Sequence, residues 1–302
     1  SSPGYGDNLY VFVCNFGKNV FYKVNKTGGV PAFSKITLDG VAGNFFDQTN
    51  DVYSTETALF FDYNGDDYND IFLCNWKNVQ TNTVGAPNQL YRNDGDGTFT
   101  LASFPGGSAN TRGAAAFDVD DDGDLDLLVS NIDSSEIQVF RNDIGSFVLD
   151  NSKINSIINA PAYHIKVYSY QFNSQLQTEI WFNAFGGGAD RLFRLRKNAG
   201  GVFDLTQNIR GKDRFPNFNL DFDVKNFRQN GNSVDFEIFY DNSFLQFRND
   251  SASEVSLTVG IDPSIFGSVS GVKFFNYDVA DTANPMDDLY LSTLSGFNLL
   301  YQ

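Results

Sequence analysis

The chain has 302 residues, 41% hydrophobic and 16% aromatic, enough apolar material for a large core and too much for a disordered chain. Its 21 basic and 37 acidic side chains leave a net charge of -16, which opposes nucleic acid or an anionic membrane as partner and favours cations. No apolar run approaches the roughly 20 residues of a bilayer span, and Ser1-Ser2-Pro3-Gly4-Tyr5-Gly6 offers neither an initiator Met nor a signal-peptide core, so the chain is expected to be processed or excised from a longer one.

In chain order, short segments alternate apolar and polar residues at a period near two, with Asn, Asp or Gly between them, as antiparallel strands do. Residues 9–15 (LYVFVCN) and 19–25 (NVFYKVN) come first. Residues 57–63 (TALFFDY), 69–75 (NDIFLCN), 88–94 (NQLYRND) and 97–103 (GTFTLAS) follow, then 113–119 (GAAAFDV), 125–131 (LDLLVSN), 137–143 (IQVFRND) and 145–150 (GSFVLD). The pattern continues in 164–170 (HIKVYSY), 178–184 (TEIWFNA) and 191–197 (RLFRLRK), in 219–224, 234–240 and 244–250, and in 271–277, 287–293 and 297–302.

These segments are copies of one unit. Aligning the second strand of each copy places acidic anchors at Asp70, Asp126, Glu179, Asp235 and Asp288, in steps of 56, 53, 56 and 53 residues. Six units are visible, approximately 1–50, 51–105, 106–155, 156–212, 213–262 and 263–302. The first begins at its second strand and the last stops after its third, with four complete units between. Four-stranded repeats of this length with no convincing helical periodicity predict an all-β fold, a β-propeller spanning 1–302 as one domain. The ring is expected to have six blades with incomplete terminal ones, or to be a larger, seven-bladed ring. A β-sandwich or β-helix array is the alternative, although sandwich strands seldom recur in such similar units. The 31 Phe are expected to fill the space between blades.

Residues 118–126 hold six aspartates in nine positions immediately before a hydrophobic strand. Their oxygens recur at alternate positions: Asp118, Asp120, Asp122, the carbonyl of Asp124, and Asp126. The preceding unit offers Asp62, Asn64, Asp66, the carbonyl of Tyr68, and Asp70. Five hard oxygens aimed at one point suit Ca²⁺, which takes roughly 6–8 oxygen ligands; Mg²⁺ keeps its water, and zinc is disfavoured without His or Cys. The carboxylates repel one another until a divalent ion sits among them, which links metal binding to folding. Gly65 and Gly123 allow the tight turns. A solvated acidic turn is the alternative.

The stretches FDYNGDDYNDIFLCN (61–75) and FDVDDDGDLDLLVSN (117–131) resemble the FG-GAP and VCBS repeats of integrin alpha chains and secreted propellers, and residues 266–278 are similar to the Phe-Gly portion of that repeat. The resemblance implies a calcium-bearing β-propeller with ligands at Asp62, Asn64, Asp66, Tyr68 and Asp70 and at Asp118, Asp120, Asp122, Asp124 and Asp126. It also implies that partners bind the face opposite the calcium loops. Residues 171–179 lack the acidic ligands, 223–235 carry a longer, basic-containing insert, and Asp278, Asp281 and Asp288 form a weaker third candidate in stretched spacing.

One His is present, so Ser/His/Asp or Cys/His catalysis is not expected; His164 reads as a strand residue. The expected function is a calcium-stabilised adhesion or ligand-binding module for a protein partner. A carbohydrate-binding lectin and a polysaccharide lyase using some of the 14 Tyr are the alternatives. Trp76 is the best candidate for a sugar platform, with a Trp packed under a loop as the plainer reading. Residues 76–89 and 183–191 read as inserts between second and third strands. Cys14 and Cys74 sit at equivalent places in adjacent units, too far apart for the roughly 7 Å a disulfide allows, so both are expected to be free and buried. The sequons at Asn25 and Asn249 add a slight expectation of secretion as a glycoprotein. Weak calcium sites fill in millimolar extracellular calcium and not in resting cytosol, so an extracellular or cell-surface location is expected.

Overall fold

The computed structural model describes residues 9–16, 19–27, 30–35, 52–96, 98–133, 137–155, 162–172, 175–186, 189–210, 222–225, 236–241, 244–248, 257–260, 269–275, 288–293 and 299–301. Among them are strands, turns and bends and no helix, hence none long and apolar enough to cross a membrane. The chain divides into two compact units, Ser1–Asn159 and Ala160–Gln302.

In the first unit Leu9–Val13, Val20–Thr27 and Val30–Lys35 pair in chain order. Tyr53–Phe61, Asp70–Asn78, Gln89–Asn93 and Phe99–Ala102 form the next antiparallel sheet. Thr111–Phe117, Asp126–Asn131, Ile137–Asp143 and Ser146–Leu149 form a third. In the second unit the same order recurs in Ala162–Phe172, Gln175–Gly186, Ala189–Lys197 and Phe203–Arg210, and again in Phe222–Lys225, Phe236–Asp241, Phe244–Arg248 and Leu257–Gly260. Val269–Phe275, Asp288–Thr293 and Leu299–Tyr301 follow.

The repeat read from the sequence is thus present as four sets of four strands, with three strands described in the first and last. Three of its fourth strands, Val30–Lys35, Phe203–Arg210 and Leu257–Gly260, carried too weak an alternation to be foreseen. An edge strand pairs on one side only, so its pattern is the least constrained.

The second strand lies between two partners, and in the first unit sheets pack against both of its faces. Ile71 and Leu73 join a core with Phe21 and Tyr91, while Phe72 and Cys74 join one with Phe61, Leu90, Leu127, Val129 and Phe140. Successive strand residues point to opposite faces, so a strand buried on both reads as the unbroken apolar run Ile71-Phe72-Leu73-Cys74. The filling is aromatic, as expected: Phe104 stands 4.9 Å from Phe72, 4.6 Å from Phe140 and 5.6 Å from Phe147 between ring centroids. Each fully buried ring contributes about 1.5–3 kcal/mol from removal of apolar surface from water.

At the closing end of the second strand runs a polar relay. Asn19 Nδ2 donates to Thr55 Oγ1 at 2.8 Å, and Thr55 Oγ1 donates to Asn75 Oδ1 at 2.7 Å. One repeat later Asn88 Nδ2 donates to Thr111 Oγ1 at 3.0 Å, and Thr111 Oγ1 to Asn131 Oδ1 at 2.6 Å. In the second unit the His164 backbone N–H takes the hydroxyl's place, donating to Asn183 Oδ1 at 2.7 Å. The Asn that recurs at the end of the first four second strands, Asn15, Asn75, Asn131 and Asn183, was the signal for this relay. Thr111 is fully buried, and Thr111→Val keeps its shape while leaving Asn88 and Asn131 without its hydroxyl. We expect that change to cost about 1–3 kcal/mol in urea unfolding; a cost within error of zero would show that the relay is dispensable.

Candidate metal centre

Residues 62–69 and 118–125 connect the first and second strands of consecutive sheets, and the two loops share a common set of backbone-to-carboxylate bonds. Asp62 Oδ1 accepts from Asp66 N–H at 3.2 Å and Oδ2 from Asp67 N–H at 2.8 Å. Asp118 Oδ1 accepts from Asp122 N–H at 3.1 Å and Oδ2 from Gly123 N–H at 2.9 Å. Asp66 and Asp122 each accept from the N–H two residues on, Tyr68 at 2.9 Å and Asp124 at 3.0 Å. The anchors are held alike. Asp70 accepts from Tyr63 N–H at 3.1 Å and Asn93 N–H at 2.7 Å, Asp126 from Val119 N–H and Asn142 N–H at 2.7 Å each. Asn142 Nδ2 also donates to the Tyr63 carbonyl at 2.7 Å, tying the second loop to the first.

The same backbone is reached with glycine at different places. Each loop has two left-handed residues, Gly65 (φ 73°) with Asp67 (φ 68°) and Asp121 (φ 65°) with Gly123 (φ 100°). The two glycines are therefore not equivalent: each stands where the other loop holds a strained Asp, and Asp tolerates that conformation better than most residues.

Within the second loop one oxygen each from Asp118, Asp120 and Asp126 lies within 4.8 Å of the others. Among the described residues no other His, Cys, Asp or Glu set gathers this way. Asp120 Oδ1 is buried and has no hydrogen-bond donor. An orphaned carboxylate oxygen in acidic company is satisfied by a cation, and an all-oxygen donor set suits a hard one. Burial pushes the Asp126 carboxyl up to about 6 and the Asp70 carboxyl up to about 7. Their backbone N–H donors offset part of this, and Asp120 with Asp122, or Asp66 with Asp62, push the same way. Asp120 is raised by burial and then by Asp122. Each shift marks a negative charge lacking positive compensation.

The other expected ligands have these positions. Asp122 Oδ1 is engaged by the Asp124 N–H, and Asp124 Oδ2 accepts from Ile144 N–H at 2.9 Å. In the first loop Asn64 Nδ2 donates to Asp66 Oδ2 at 2.8 Å, so Asn64 bridges where Asp120 stands open. The Tyr68 ring lies over Gly95, where a Cβ would come within 2.8 Å of Tyr68 Cζ.

Residues 62–129 match the family model of the FG-GAP-like repeat. This FG-GAP-like segment runs from the first loop through the second strand of the next sheet. No curated protein matches the chain. Among solved structures, BBS1N crystallised in complex with ARL6DN is similar over 99% of this chain and 79% of that one, at 10% identity and a TM-score of 0.50. An Agrocybe aegerita lectin that recognises non-reducing terminal N-acetylglucosamine is similar over 96% of this chain and 76% of its own, at 15% identity and a TM-score of 0.53. These likenesses bear on the fold: the chain is all-β, of the β-propeller class.

Outside the FG-GAP-like segment the loops depart from it. Residues 171–179, read as a ligand-poor loop, are mostly strand: Phe172 pairs with Gln175 and the connection shrinks to residues 173–174. Without Asp and Gly turn formers, the two strands zip together through the segment. The anchor Glu179 accepts instead from Trp181 Nε1 at 2.9 Å and from Arg196 Nε. Residues 226–235, with the anchor Asp235, and Asp278 and Asp281 lie outside the described residues.

At the other end of the second strands, residues 183–191 are not an insert but a strand hairpin, paired out to Gly186 and Ala189. Residues 76–89 do project, with Lys77 and Asn78 pairing Val84 and Thr83. Trp76 is half-buried; the Arg112 guanidinium lies 4.1 Å from its ring centroid and the Phe16 ring 5.4 Å away. Arg112 is held there by Glu56 at 2.9 Å, so the indole is a packed ring rather than an open platform. Cys14 and Cys74 are free, as expected, Cys74 buried and Cys14 half-buried; burial pushes the Cys14 thiol up to about 12, with Glu56 adding to it.

Proposed function

We propose that the protein is a calcium-stabilised β-propeller acting outside the cytosol as a binding module for a protein partner, without performing chemistry on it. The observation that carries the calcium reading is the donor-less Asp120 oxygen beside Asp118 and Asp126. Calcium would supply there the positive charge that these carboxylates lack. Asp118, Asp120 and Asp126 would hold it, Asp126 also fixing the loop to the second strand through its two N–H donors. The location follows from the same chemistry, because sites of this type commonly bind at about 10⁻⁴–10⁻³ M and fill only where calcium is millimolar.

The binding role is supported by the propeller neighbours, one crystallised with a protein and one recognising a sugar. A rigid frame presenting projecting loops suits such a role. Residues 76–89 are the projecting candidate at the end opposite the acidic loops. Replacing residues 79–84 with a Gly-Ser turn should lower capture of a surface protein at least several-fold in a pull-down with 1 mM calcium, leaving the melting temperature near wild type. Undiminished capture removes this loop from the reading. Discrete hits on a glycan array would replace it with a lectin, and depolymerised glycan would replace it with a lyase.

A further inference from the structure

We infer that Arg196 is a built-in substitute for the metal at the corner of the Ala162–Arg210 sheet, so that this sheet does not depend on a divalent cation. This rests on the reading of the two acidic loops as cation sites.

The second strands of three successive sheets carry an equivalent buried carboxylate: Asp70, Asp126 and Glu179 are each fully buried. The third strand brings an arginine opposite each of them. Glu179 pairs directly with Arg196. The pairs Leu127 with Phe140 and Ile71 with Tyr91 put Arg141 and Arg92 one step further on, opposite Asp126 and Asp70. An arginine therefore stands in register with all three anchors, but its charge is used differently. Arg92 turns to Asp94, through Nε at 2.9 Å and Nη2 at 2.7 Å. Arg141 Nε stands 3.7 Å from Asp150 Oδ2. Arg196 Nε instead donates to the anchor itself, at Glu179 Oε1.

The choice follows the connection between first and second strands. Where residues 62–69 and 118–125 surround the anchor with oxygens, the arginine is directed elsewhere and the anchor carboxylate takes backbone N–H groups. Where the two strands instead pair out to Phe172 and Gln175, the arginine supplies the charge. Glu, one methylene longer than Asp, reaches both Arg196 and the Trp181 indole N–H from the strand. A guanidinium–carboxylate bond of this kind is charge-assisted and holds the corner without an ion.

The test uses the full chain and hydrogen exchange read by mass spectrometry, segment by segment, in 1 mM calcium and in excess EDTA. EDTA should deprotect residues 62–129 and leave 162–210 as protected as in calcium. Arg196→Met takes the guanidinium from the buried Glu179 carboxylate, so the thermal midpoint for 162–210 should fall by roughly 10 °C in both conditions, with no rescue by calcium. Adding Glu179→Gln to Arg196→Met should restore most of the loss. Should Arg196→Met fail to fold, the double variant decides alone: protection of 162–210 near wild type and indifferent to EDTA supports the inference, and protection as poor as in the single variant overturns it. Wild-type 162–210 deprotected by EDTA, rescue of Arg196→Met by calcium, or no effect of Arg196→Met would each overturn it. Absence of calcium uptake by wild type, read by calorimetry, overturns the loop reading alone, and the Arg196 substitution still decides its own case.

Discussion

Asp120→Asn lowers the melting temperature in millimolar calcium and leaves it unchanged or raised in chelator. The reversal is expected because Asp120 Oδ1 has no donor, while Asp118 and Asp122 lie close enough for their charges to disfavour its ionised form. Removing the charge thus costs no protein hydrogen bond at that oxygen and relieves repulsion in the metal-free state. In calcium it takes one anionic ligand from the ion. Free calcium at ~100 times the dissociation constant stabilises by about 2.7 kcal/mol per site, which bounds what each substitution can remove.

Asp126→Ala behaves differently. Asp126 is fully buried and accepts from Val119 N–H and Asn142 N–H, so its loss destabilises the protein in chelator as well as in calcium. Asp70→Ala should follow Asp126→Ala, since it holds Tyr63 N–H and Asn93 N–H in the same way. The gathered trio of the second loop should also give a tighter site than the first loop, where Asn64 and Asp66 bond each other. Differential scanning calorimetry of these variants with and without EDTA, beside a calcium titration, makes the comparison. A wild-type melting temperature indifferent to EDTA, with no saturable calcium uptake, would sink the proposal; a loss in Asp120→Asn as large in EDTA as in calcium would assign Asp120 a role unrelated to metal.

The second large effect lies in the core. Phe72→Ala removes a fully buried ring that stands 4.9 Å from Phe104 in the cluster joining two sheets of the first unit. Loss of its transfer energy and the cavity left behind should together cost about 3–5 kcal/mol. For a unit of this size that lowers the melting temperature by roughly 10–15 °C. Phe104→Ala should cost less, because Phe104 is only partly buried although it touches three rings. Denaturant unfolding of both variants checks the order; a loss below about 1 kcal/mol for Phe72→Ala would mean that the sheets do not depend on this contact.

The sequence by itself determined the repeat, its second strands and the two acidic loops. These are local properties: an apolar run buried on both faces at Ile71–Cys74, carboxylates at alternate positions before it, and a spacing that recurs because each sheet is built alike. Tertiary structure alone decided how the charges are satisfied. Asn142 reaches the Tyr63 carbonyl from 79 residues away, which no local pattern encodes. Gly65 and Gly123 both mark tight turns, but only the backbone shows that each loop needs two left-handed residues and that each glycine supplies a different one. Arg92, Arg141 and Arg196 occupy the same place in the repeat, and only packing shows that the first two turn from the anchor while the third completes it. The physical reason is that strand formation depends on periodicity within a few residues, whereas the partner of a buried charge is set by whichever neighbouring loop or strand reaches it.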